Sequence, residues 1–102
     1  MKKVYISGPM TGIDGFNHPV FNATAEYLES KGFLAINPAR HPIGLKHCQY
    51  MEYAELDIKN CDIVVLLPGW HESKGATAEF DLAVKECKET CRVGEFVKCL
   101  SN

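Results

Sequence analysis

The chain lacks an apolar run long enough to cross a bilayer. Its opening Met-Lys-Lys leads straight into strand-like residues, the wrong pattern for a signal peptide, so a cytoplasmic location is expected and a membrane partner is not. It also lacks any cluster of Lys and Arg, and its formal net charge is −2. With no basic patch, a nucleic acid polymer or an anionic lipid surface is excluded as a partner, while small anionic metabolites remain. There is no Gly-Lys-Ser/Thr to close a P-loop and no GxGxxG, so the two common phosphate fingerprints are absent. Five cysteines make an odd set without a CxxC pair. Cys87 and Cys91 stand four apart and His47 adjoins Cys48, but zinc is usually held by tighter pairs. Reduced thiols, no metal and no cofactor are therefore expected.

Repeats, linkers and low-complexity tracts are missing too, and 102 residues suffice for one core. A single domain over 1–102 is expected. Within it, short apolar runs alternate with helical periodicity. "KVYIS" reads as a first strand, ending at Gly8-Pro9. A helix follows from near Pro19, with Phe21, Ala25 and Leu28 on one face and Gly32 as its stop. "FLAI" reads as strand two, and residues 39–46 as a loop. His47 to Asn60 reads as a helix with a stripe of Met51, Ala54, Ile58 and Cys61. "DIVVLL", apolar at consecutive positions, fits a central strand of a parallel sheet. A third helix is expected from near Gly75, turning Ala76, Phe80, Ala83 and Cys87 inward, and the tail "RVGEFVKCL" is expected to hold a last short strand. The order β-α-β-α-β-α-β predicts an α/β fold. It is a single Rossmann-like or flavodoxin-like domain, a small parallel sheet with helices on both faces.

In such sheets ligands bind beyond the carboxyl ends of the strands. "SGPMTG", "NPAR" and "PGWHESKG" are the loops at those ends. The first offers Gly8, Gly12 and Gly15 for close backbone approach, with hydroxyls at Ser7 and Thr11, or is simply a connection rich in turn residues. In the third, Ser73 and a helix opening near Gly75 offer a hydroxyl, unpaired amides and partial positive charge to an anion. Glu79, placed in the first turn, is a candidate nucleophile whose carboxylate the helix dipole favours; equally, acidic residues are common in first turns. Tyr5 is either core or part of the site's wall. Asp57, like Glu52 and Glu55, fits the solvated face of the second helix. Asp62 is expected to turn the chain at the buried start of strand three. Trp70 offers a stacking surface for a nucleobase, or a contact for a partner.

"VYISGPMTG", "NPA" and "CDIVVLLPGWHESKGATAE" together resemble the nucleoside 2-deoxyribosyltransferase-like superfamily, in particular its short bacterial and phage branch. The resemblance runs over roughly residues 3 to 86, and the last motif carries most of it. It implies that Gly8, Pro9, Met10 and Gly12, with Tyr5 before them, and Ser73 and Gly75 bind a nucleoside or nucleotide. Glu79 is then the nucleophile of N-glycosidic bond cleavage or exchange, in a homodimer or larger homo-oligomer. Counting back from Asp62, the resemblance puts the family's helper acid near Ala54 in this chain; either Glu55 or Asp57 substitutes for it from a shifted helix, or the helper is missing. Three readings stay open: an enzyme, a non-catalytic binder of nucleotide-like metabolites, which that departure favours, and a scaffold whose site is vestigial, with Trp70 as a partner contact.

Overall fold

The computed structural model describes residues 1–42 and 44–100. Residue 43 and the last two residues of the expected domain therefore lie outside the described residues. The elements are β1 (Lys3–Ser7), α1 (His18–Ser30), β2 (Leu34–Ile36), α2 (His47–Asn60), β3 (Ile63–Leu66), α3 (Lys74–Lys85), β4 (Glu89–Arg92) and α4 (Val93–Leu100). All strands run parallel in the order β2-β1-β3-β4. This is the expected α/β sheet with helices on both faces.

The two-residue period of a strand divides the core. On β1 and β3, Val4, Ile6, Ile63 and Val65 face one way and meet Phe21, Ala25 and Leu28 of α1, with Val93 and Phe96 of α4 packed alongside. Tyr5, Val64 and Leu66 face the other way and meet Ala54 and Ile58 of α2, Cys61, and Ala83 of α3. Both central strands are thus buried on two sides, which explains their unbroken apolar runs. Asp62 marks the entry to β3, where its carboxylate accepts a hydrogen bond from the Lys3 N–H at 2.8 Å and ties the starts of the two strands together.

The third helix opens near Gly75 as expected: α3 begins at Lys74 because Ser73 caps it, its Oγ accepting from the Ala76 N–H at 3.2 Å. Two expectations change. Cys87 does not face inward; α3 ends at Lys85, and Cys87 is exposed in a left-handed conformation, φ +56°. The last strand is Glu89–Arg92, and most of "RVGEFVKCL" is α4. The spacing Val93, Phe96, Val97, Leu100 is i, i+3, i+4, i+7, a helical stripe, and Val93 and Phe96 of it pack onto the α1 face of the sheet.

The topology fixes where a ligand fits. From β1 the chain crosses to β2 on one side, and from β3 it crosses to β4 on the other, so the crevice lies beyond the carboxyl ends of β1 and β3. Gly8 closes that end of β1. A Cβ there would stand 2.7 Å from the Leu67 Cβ, so only glycine lets the two loops approach this closely.

Candidate active site

Tyr5 and Ser7 are two residues apart on β1, so both side chains project to the α2–α3 side of the sheet, where both are fully buried. Glu79 comes down to meet them from α3. The Tyr5 hydroxyl donates to Glu79 Oε2, and the Ser7 hydroxyl donates to Oε1 at 2.7 Å. Each carboxylate oxygen is therefore held by one donor, and the carboxylate's orientation is set by the sheet. An ionised carboxylate has about four lone-pair positions, so both oxygens keep capacity for a further contact.

Burial pushes the Glu79 carboxyl above its usual range; the Tyr5 and Ser7 hydrogen bonds pull the other way, and the charge of Asp57 adds to the rise. Glu79 lies five residues beyond the first residue of α3, in its second turn rather than its first. The expected help from the helix dipole gives way to desolvation opposed by two hydroxyl donors. Tyr5 is shifted upward as well, by its own burial and then by the charge of Glu79, so it remains a neutral phenol and a donor.

Asp57 stands on α2 between Ala54 and Ile58, the two residues that pack into the Tyr5 side of the core, and its charge adds to the upward shifts of Glu79 and Tyr5. It is about one-fifth exposed, and its Oδ2 lies 2.9 Å from Nε2 of His41. His41 in turn stacks on Tyr53 with ring centroids 4.5 Å apart. Ala54, where the resemblance leads one to expect an acid, is 4 % exposed and belongs to the same core cluster as Tyr5. A carboxylate would be costly in that core position; of the three acids on α2, Glu52, Glu55 and Asp57, the last stands three residues after Ala54.

The remaining candidates lie in the loops after β1 and β3 and at the start of α3. Gly12 takes a left-handed turn at φ +84°. The Pro9 carbonyl accepts from Asn17 Nδ2 at 2.9 Å, and Met10 packs on the α1 side of the core. Ser73 spends an acceptor position on capping α3, which leaves its hydroxyl proton available, and Gly75 lies in the first turn it caps. Trp70 packs against Phe80 at 4.9 Å, half-buried, so most of its ring serves the core. On the far side of the β3 loop an open groove of about 690 Å³ runs past Leu67, Trp70, Arg92 and Lys98, and no candidate catalytic residue lines it.

Among the described residues, no group of three or more His, Cys, Asp and Glu is placed to hold a metal ion. None of the described helices is long and apolar enough to cross a membrane. The five cysteines are all unpaired.

Residues 2–91 match the family described as "Domain of unknown function (DUF4406)". The chain belongs to the DUF4406 family. Among solved structures this DUF4406 chain is similar to a 2-desoxiribosyltransferase from Leishmania mexicana, at 17% sequence identity and TM-score 0.72, over 88% of this chain and 62% of that one. It is also similar to the CMP N-glycosidase BcmB from Clostridium botulinum, at 21% identity and TM-score 0.64, over 87% of this chain and 66% of that one. The DUF4406 chain thus spans a little under two thirds of the length of either structure, and what it shares with them is the deoxyribosyltransferase fold. No curated protein matches it in sequence.

Two parts of the site were not anticipated from the sequence. His41 had no signal, because its position depends on how the loop after β2 turns back over α2. Ser7 was read as a loop hydroxyl, although its spacing of two from Tyr5 on a strand already placed the pair on one face.

Proposed function

We propose that this protein cleaves or exchanges the N-glycosidic bond of a 2′-deoxynucleoside or its 5′-monophosphate, with Glu79 as the nucleophile. The observation that carries the reading is the grip of Tyr5 and Ser7 on the two oxygens of Glu79, beside the crevice at the ends of β1 and β3. A carboxylate that served only the fold would not need two buried hydroxyls aimed at it. The same fold carries a deoxyribosyltransferase and a CMP N-glycosidase, which supports the choice of bond.

The reaction follows from these groups. A Glu79 oxygen attacks C1′, and the C1′–N bond breaks with its electron pair passing to the base nitrogen, which takes up a proton. The transition state has oxocarbenium character, and a sugar without a 2′-hydroxyl bears that charge more easily. Water or a second base then attacks C1′ of the ester and frees Glu79. Tyr5 and Ser7 hold the carboxylate so that little reorganisation precedes attack. Asp57 is the candidate acid for the departing base. At the rim, the first turn of α3, the Ser73 hydroxyl and Lys74 suit the 5′ group, above all a phosphate.

The test is base release against time, by chromatography, over a panel of deoxynucleosides and their 5′-monophosphates, with affinities from calorimetry. The expected result is turnover of at least one substrate, with the monophosphate bound more tightly than its nucleoside. Binding of several compounds without release of base from any would make the protein a sensor or sequestering protein instead.

A further inference from the structure

His41 is not placed by accident. The turn that delivers it, Pro38–Arg40, is fixed by Asn37, 4 % exposed, whose side-chain oxygen accepts from the Ala39 N–H at 3.0 Å while its Nδ2 donates to Asn22 Oδ1 at 2.9 Å. The His41 N–H closes the turn on the Pro38 carbonyl at 3.1 Å. Tyr53 supports one face of the ring. Arg40, the next residue back, turns to Glu29 at 2.9 Å and leaves Asp57 to the imidazole. Both members of the His41–Asp57 pair are about four-fifths buried, unlike the exposed Arg40–Glu29 and Lys59–Glu55 pairs. Among the described residues no donor reaches the other Asp57 oxygen, Oδ1.

We propose that His41 is a positioning residue, which by donating Nε2–H to Asp57 Oδ2 directs the carboxyl proton of Asp57 through Oδ1 to the departing base. This rests on the reading of the site as one that breaks an N-glycosidic bond. Asp57, charged in the free site, takes a proton on Oδ1 as the substrate covers the crevice; as the C1′–N bond breaks, its electron pair goes to the base nitrogen and that nitrogen takes this proton from Oδ1. Asp57 is left as a carboxylate, which the Nε2–H bond stabilises. When water attacks C1′ of the Glu79 ester, its proton returns to Oδ1 and the site is restored. The assignment explains how the chain does without an acid at Ala54: an aspartate one turn later is aimed by a second side chain instead.

The experiment compares two leaving groups. One is an ordinary 2′-deoxynucleotide that the wild type accepts, and the other carries an N7-alkylated purine, already cationic and able to depart without a proton. On the ordinary substrate His41→Ala should lower kcat by roughly 10²-fold, the lower end of what general acid help contributes, with KM little changed. On the alkylated substrate it should differ little from wild type. His41→Gln, whose amide N–H reaches Oδ2, should recover part of the loss, and circular dichroism of both variants checks the fold. An equal loss on both substrates would make His41 merely structural and overturn the proposal. Unchanged kcat in His41→Ala, with the wild type active, would overturn it and leave the role of Glu79 standing. A wild type inactive on both substrates would overturn the proposed function itself, and this inference with it.

Discussion

Glu79→Gln should abolish turnover while making the protein more resistant to unfolding at neutral pH. The kinetic part follows from attack: an amide cannot form the sugar ester, so kcat should fall by on the order of 10³-fold or more. Ligand affinity should change little, because Gln keeps the shape and the contact with Tyr5, and its amide N–H can donate to Ser7. The stability part follows from the raised carboxyl of Glu79, whose first cause is burial. A carboxyl raised in the folded state supports the fold fully below the ordinary Glu range, and that support is lost as pH rises through the folded value. At neutral pH the folded protein therefore bears the cost of a buried charge, which Gln removes. Thermal melts should show the variant melting higher than wild type at pH 7, with the gap closing as the pH falls to where Glu79 is protonated. A variant that melts lower at pH 7 would mean that the hydroxyl bonds outweigh the desolvation.

Tyr5→Phe should move the acid side of the pH–activity profile to higher pH. Among the described residues the phenol is one of two hydroxyls opposing the effect of burial on Glu79, and Phe keeps the ring while deleting that donor. The carboxyl then holds its proton to still higher pH, and the fraction ready to attack at mildly acidic pH shrinks. Above this limb the loss in kcat should be smaller, since Ser7 still holds Oε1. In stability, deleting a bond to a charged acceptor costs about 1.5–3 kcal/mol at a pH where Glu79 is ionised. The profile of kcat/KM between pH 4 and 8, compared with the wild type, checks the shift. A profile that scales down without moving would assign Tyr5 to packing alone.

The elements that were legible from the sequence are those whose burial writes a period into it. β1, α1 and β3 carry unbroken or regularly spaced apolar residues because each is buried on one or two faces, and the structure holds them where expected. β4 was not legible. As the edge strand, "ETCR" has no fully buried residue, so selection for burial leaves no apolar run to read. The tail was misread although its own spacing was helical. Short apolar segments are ambiguous when the strand that ought to precede them is polar.

In the site, the loop motif picked out Glu79, and strand parity could have supplied Tyr5 and Ser7. Their meeting spans more than seventy residues of chain and is made by the parallel order of β1 and β3. The count back from Asp62 measured positions along α2 but not the direction in which each faces. It therefore does not tell which acid of α2 faces Glu79, and among them the charge of Asp57 is the one that adds to the upward shift of Glu79. The role of His41 depends on a loop conformation, and no period encodes one.

The central claim is a covalent passage through Glu79, and stereochemistry tests it most directly. Turnover of a β-deoxynucleotide in water containing methanol yields a methyl deoxyriboside whose anomeric configuration is fixed and readable by NMR. Attack by Glu79 followed by attack by methanol inverts C1′ twice, so the account predicts the β methyl glycoside. The α anomer would mean that solvent displaces the base directly, with Glu79 at most a base, and would contradict it.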